Sequence, residues 1–112
     1  MILLPHRAPP FLLTFTACMI AAAAAVWVIE PPYLSYDPQP FSPLVLLALV
    51  AIALIPASGV ALGGALANVT SAAIWPGVPN YVIVGHYTFN LADIAIFVGA
   101  VMIVAHAVGR WK

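Results

Sequence analysis

The sequence predicts an all-α membrane protein, a small bundle of three transmembrane helices, from its composition, its apolar runs and its connectors. Of 112 residues, 65% are hydrophobic and 5% are charged, and the mean hydropathy is +1.14. Soluble domains carry about 25% charged residues. A chain this apolar cannot cover a water-facing surface, so we expect one integral membrane domain over residues 1–112.

Three apolar runs have the length of a bilayer crossing, at about 11–29, 44–67 and 89–108. About 20 apolar residues span the hydrocarbon core as a helix, which satisfies its own backbone hydrogen bonds. The first run resembles a signal peptide in position. Its length and the poor cleavage sequence at Trp27–Glu30 favour a membrane helix.

The second run is interrupted at Pro56–Gly59, and we expect Pro56 to kink a continuous helix. Gly59, Gly63 and Gly64 then follow with the small-residue spacing that lets helices approach closely. This pattern predicts close helix packing, either within the chain or against the helix of another subunit.

The two connectors, residues 30–43 and 68–88, differ in character. The first contains five prolines, which prevent a regular helix. The second is uncharged and long enough to be functional. Within it, Val82–Val84 predicts a short extended segment.

Three spans would place the two termini on opposite sides of the membrane. Two basic residues, Arg110 and Lys112, follow the last run, whereas Arg7 alone precedes the first. The positive-inside rule therefore predicts a cytoplasmic C-terminus. In that arrangement Glu30 and Asp37 lie across the bilayer from Asp93.

Asp93 is the only charged residue from Phe41 to Gly109. A carboxylate at membrane depth costs roughly 2.5–3.5 kcal/mol on insertion scales, so it marks a candidate functional site. Asn90 precedes it by three positions and shares its helix face. This spacing is typical of a helix capping box and is equally compatible with a catalytic carboxylate.

Several kinds of function are not supported by the composition. The few basic residues leave no electrostatic footprint for nucleic acid. The three histidines are dispersed along the chain, at His6, His86 and His106, so we predict no metal site and no cofactor. We expect His106 to have an interfacial or capping role, since it lies near the end of its predicted helix. The single cysteine, Cys18, excludes an internal disulfide. We expect it to be buried and inert, although its context faintly resembles a lipobox.

Two motifs resemble those of the lipoprotein signal peptidases (signal peptidase II). They are Gly63-Gly64-Ala65-Leu66-Ala67-Asn68 and Phe89-Asn90-Leu91-Ala92-Asp93-Ile94-Ala95-Ile96, followed by Val98-Gly99-Ala100. The resemblance covers about residues 59–104. It implies an integral protein of the bacterial inner membrane, an aspartic endopeptidase activity that removes prolipoprotein signal peptides, and lipid and lipoprotein signal segments as partners.

The family uses two aspartates, one as the base for water and one as the proton donor to the carbonyl. The resemblance maps one of them onto Asp93. Ungapped counting from Asn68 puts the other at Asn80, and an amide cannot exchange a proton at neutral pH. Peptidase activity is therefore expected to be impaired, with Asp93 as the catalytic residue and Asn68, Asn80 and Asn90 as substrate-binding residues. Ser71-Ala72 replaces the family's Asp-Arg pair.

The N-terminal half departs from the family, whose members have four membrane helices and a small β-structure after the first. The chain resembles a member that lacks that first helix and the β-structure. Two alternatives remain open. A homo-oligomer could bring two Asp93 side chains together, or the chain could be a non-enzymatic membrane subunit whose Asp93 pairs with a basic residue of another subunit.

Overall fold

The computed structural model describes residues 8–29, 34–37 and 43–109. These residues form four helices and two antiparallel two-stranded sheets, β1–β2 and β3–β4. The helices are α1 (Ala8–Val28), α2 (Pro43–Ala53), α3 (Gly59–Ile74) and α4 (Leu91–Ala107). The strands are β1 (Ser35–Asp37), β2 (Val78–Asn80), β3 (Val82–Val84) and β4 (Tyr87–Phe89).

Among the described residues, one helical segment, Pro9–Val28, is long and apolar enough to cross a membrane by length and composition. At about 1.5 Å per residue, α1 measures roughly 31 Å, close to the hydrocarbon thickness. The helices α3 and α4 are apolar but shorter. Helices are thus confirmed within the first and third predicted runs, whereas three full spans are not.

The predicted single span over residues 44–67 is wrong. Helix α2 ends at Ala53 and α3 begins at Gly59, with Ala57 in the left-handed region at φ 65°. Val45 and Val69 line one pocket, although a straight helix would separate them by roughly 36 Å. The chain therefore folds back at Pro56, and α2 runs antiparallel to α3.

The second connector begins later than predicted, because residues 68–74 continue α3. Asn68 and Ser71 on this last stretch are buried. The end of α3 therefore also packs against the rest of the protein, beyond the apolar run that ends at Ala67. It ends at Trp75, whose backbone is extended. Pro76 follows directly, and a proline disfavours helical geometry in the residue before it.

The β1–β2 sheet joins the two connectors. Ser35 pairs with Asn80 and Asp37 pairs with Val78. The first connector therefore lies at the same end of the bundle as the second, and the expected placement of Asp37 across the bilayer from Asp93 is wrong. Glu30 lies outside the described residues. Strand β3 confirms the predicted extended segment Val82–Val84.

The helices alternate in direction. The Ser71 hydroxyl lies 3.6 Å from the Met19 sulfur, and Gly63 faces Thr14, so α1 and α3 run parallel. Gly99 in the middle of α4 meets Ala61 near the start of α3, whereas Asp93 at the start of α4 meets Asn68 further along α3, so these two helices are antiparallel. The start of α1 and the end of α4 therefore lie at one end of the bundle, contrary to the three-span expectation.

A small-residue core lies where α1, α3 and α4 meet. It consists of Cys18, Ala67, Ala92 and Ala95. Cys18 is 3% exposed, which confirms the prediction that it is buried. Because these side chains are short, the three backbones approach closely at the level of the polar residues described next.

Candidate functional site

The site is built on the first turn of α4. Asn90 is the extended N-cap residue, and its side-chain oxygen accepts a hydrogen bond from the Asp93 backbone N–H at 2.9 Å. The Asp93 Oδ2 in return accepts the Asn90 backbone N–H at 3.1 Å. The predicted capping box is confirmed, and it fixes the position of the carboxylate.

Helix α3 provides the second hydrogen bond to this carboxylate. The Asn68 side-chain amide donates to Asp93 Oδ1 at 3.2 Å. Each carboxylate oxygen therefore accepts one N–H, and the negative charge lies at the positive end of the α4 dipole. The Asp93 residue as a whole is half-buried.

Asn90 also connects Asn68 with Asn80. Its Nδ2 lies 3.1 Å from Asn68 Oδ1, 3.0 Å from the Pro79 carbonyl oxygen and 3.3 Å from Asn80 Oδ1. An amide nitrogen has two hydrogens for these three acceptors, so at least one hydrogen is shared. All three asparagines are buried, at 8%, 2% and 4% exposure for Asn68, Asn80 and Asn90.

The structure therefore brings together the four residues that the sequence selected. Asn80 ends β2, where pairing with Ser35 of β1 fixes its backbone. Asn80 and Asp93 are both hydrogen-bonded to Asn90. Counting from Asn68 thus identified a residue that shares a hydrogen-bonding partner, Asn90, with Asp93, and its functional role stays a prediction.

Tyr81 belongs to the same site, although the sequence marked it only as an aromatic residue of the connector. Its hydroxyl accepts the Leu91 backbone N–H at 2.9 Å, at the first position of α4. Burial raises the pKa of Tyr81 above its ordinary value of 10.0. The Leu91 hydrogen bond opposes this rise, and the charges of Cys18 and Asp93 add to it. The phenol therefore keeps its proton at neutral pH.

Glycines allow the helices that carry these residues to touch. A Cβ on Gly64 would lie 2.7 Å from the Ala92 carbonyl oxygen, and one on Gly99 would overlap the Ala61 backbone. Gly63 packs against Phe11 and Thr14 of α1 in the same way. Gly63 and Gly64 therefore pack against other helices of the same chain.

An apolar pocket of about 220 Å³ lies between α2, α3 and α4. Its wall includes Leu49 and Ile52 of α2, Ile96 of α4, and Asn68, whose amide holds Asp93. Within the described ranges, no three His, Cys, Asp or Glu residues are close enough to hold a metal ion. His106 lies in the last turn of α4, as expected for a residue near a helix end.

The fold and the site define a small helical protein with a largely apolar surface and a carboxylate held among buried amides at a helix N-terminus. Residues 5–109 match the family described as signal peptidase (SPase) II, a membrane-protein family, and the chain belongs to it. No curated protein and no solved structure matches the chain significantly.

The family match extends well beyond the motifs that first indicated it. Those motifs covered residues 59–104, whereas the match begins before α1 and includes all four described helices. The described residues form four helices, whereas the sequence predicted three. The missed helix was hidden because α2 and α3 form one apolar run in the sequence.

Proposed function

We propose that the protein binds the signal segments of lipoprotein precursors within the membrane and that its peptidase activity is impaired. The observation that carries this proposal is Asn80, which is 2% exposed and lies 3.3 Å from the amide of Asn90. Ungapped counting assigns to Asn80 the position of the family's second carboxylate, and Asn80 and Asp93 are both hydrogen-bonded to Asn90.

The chemistry of the site supports binding better than hydrolysis. Asp93 can accept a proton from a water molecule, but peptide hydrolysis also needs a proton donor for the carbonyl oxygen. The Asn80 amide can offer a hydrogen bond and no proton. Loss of one general acid–base group typically lowers a rate by about 10²–10⁴-fold.

The surroundings of Asp93 suit an apolar peptide segment. The pocket beside Asn68 is lined mainly by aliphatic side chains and can accept an apolar side chain of such a segment. The carboxylate of Asp93, a half-buried residue, can accept a backbone N–H from the same segment. The combination of an apolar pocket and a few fixed polar groups is typical of ligand sites.

The test uses purified protein in lipid vesicles and a fluorescent prolipoprotein peptide. We expect the wild-type protein to bind the peptide and to cleave it slowly or not at all. Asn80→Asp preserves side-chain shape and the acceptor oxygen facing Asn90. We expect this substitution to raise the cleavage rate by about 10²-fold or more, since it restores the missing carboxylate.

Two variants serve as matched controls. Asp93→Asn in the Asn80→Asp background should remove the gained cleavage, and Asp37→Asn should leave it unchanged. Efficient cleavage by the wild-type protein that Asp93→Asn abolishes would refute the impairment. Absence of peptide binding, together with co-purification of a stoichiometric membrane partner, would favour the alternative of a non-enzymatic subunit.

A further inference from the structure

The β3–β4 hairpin (residues 82–89) extends from the site between Asn80 and Asn90. Its strands pair in register, with Val82 opposite Phe89 and Val84 opposite Tyr87. The Tyr81 N–H donates to the Phe89 carbonyl oxygen at 3.1 Å and closes the base. The hairpin thus satisfies much of its backbone hydrogen bonding by its own pairing.

The two faces of this hairpin differ in polarity. Alternation along the strands puts Val82, Val84, Tyr87 and Phe89 on one face, which is entirely apolar or aromatic. At its tip, Val84 is 58% exposed and Tyr87 is 76% exposed. The opposite face carries the Ile83–Thr88 pair, in which Ile83 is 48% exposed and Thr88 supplies the polar group. The apolar face therefore has exposed side chains that its own chain does not cover.

The position of the hairpin indicates which environment covers this face. The hairpin is attached to the same end of the bundle as the last turn of α1, where Trp27 is 90% exposed. Both belong to a protein whose family lies in the membrane. Residues 68–88 carry no acidic, lysine or arginine side chain that would favour water. Tryptophan and tyrosine are enriched where a bilayer meets water.

We propose that the β3–β4 hairpin lies on the bilayer surface with its apolar face in the lipid headgroup layer. The partner is the lipid interface itself, continuous with the lipid around the end of α1. Tyr87 and Val84 enter this layer, while Thr88 on the other face remains toward water. The hairpin thereby links the lipid surface to Asn80 and Asn90, the residues that precede and follow its base.

The experiment compares neighbouring positions on opposite faces of one strand. A nitroxide label is attached at Tyr87→Cys or Thr88→Cys, with Val84→Cys as a second site on the apolar face. Cys18 can stay in place because it is 3% exposed, and the chain without an added cysteine measures any labelling there. The proteins are reconstituted into vesicles of phosphatidylcholine and phosphatidylglycerol.

Collision rates of each label with oxygen and with a water-soluble nickel chelate report its depth. We expect the oxygen-to-nickel ratio to be several-fold higher at positions 84 and 87 than at position 88. Equal nickel access at positions 87 and 88 would overturn the proposal. Exclusion of both reagents from positions 84 and 87 would also overturn it, since protein would then cover this face. Unchanged circular dichroism verifies that each labelled variant is folded.

Discussion

The α3–α4 interface and the β3–β4 hairpin both adjoin the asparagine cluster, and they hold it in opposite ways. At the interface, Gly99 has no room for a Cβ beside Ala61, whereas Gly85 in the hairpin turn has no other atom within 4 Å of its Cβ position. The interface fixes the separation of Asn68 and Asp93 by backbone contact. The hairpin only has to connect β2 with α4, so its outer side chains are free to meet another surface.

The close packing of the α3–α4 interface can be tested most strongly at Gly99. We expect Gly99→Ala to destabilise the bundle by about 1–3 kcal/mol, because the added methyl group overlaps the Ala61 backbone. Thermal unfolding in detergent micelles, followed by circular dichroism, measures the effect. Ala100→Leu is the control, since Ala100 is exposed on the same helix and a larger side chain there meets no neighbour in the chain. Equal midpoints for both variants would mean that the interface is not closely packed.

Tyr81 tests the junction between the two regions, with a smaller expected effect. Tyr81→Phe removes the acceptor of the Leu91 N–H and should cost about 1 kcal/mol at neutral pH. Because burial raises the pKa of Tyr81, its contribution is complete below pH 10 and is lost as the pH rises through the folded-state pKa. The stability difference between wild type and variant should therefore shrink in strongly alkaline solution. A difference that grows with pH would contradict this assignment.

The smallest effect on the bundle is expected at Gly85. Its φ of +61° lies in the left-handed region, where alanine is less stable than glycine by roughly 1 kcal/mol. Gly85→Ala should speed amide exchange in β3 and β4 and leave the unfolding midpoint of the helices unchanged. A large fall in that midpoint would show that the hairpin contributes to the stability of the bundle.

Local patterns predicted much of the site. The Asn90–Asp93 spacing specified the capping box, and ungapped counting from Asn68 in α3 led to Asn80 at the end of β2. The turn at Ala57 escaped prediction, since a non-glycine residue takes the left-handed conformation there and the apolar run continues across it. The pairing of Ser35 with Asn80 was also missed, because three-residue strands far apart in sequence leave no periodic signal.

The alternation of helix directions has an electrical consequence. In the sequence, Arg7 directly precedes α1, and Arg110 and Lys112 follow α4, while the start of α1 and the end of α4 lie at one end of the bundle. Asp93 and the backbone of Asp37 lie at the other end. By sequence adjacency, the positive-inside rule therefore compares three cations next to this end of the bundle with none next to the other, where three spans would have compared two with one. Reporter domains fused to the two termini should therefore both report the cytoplasm.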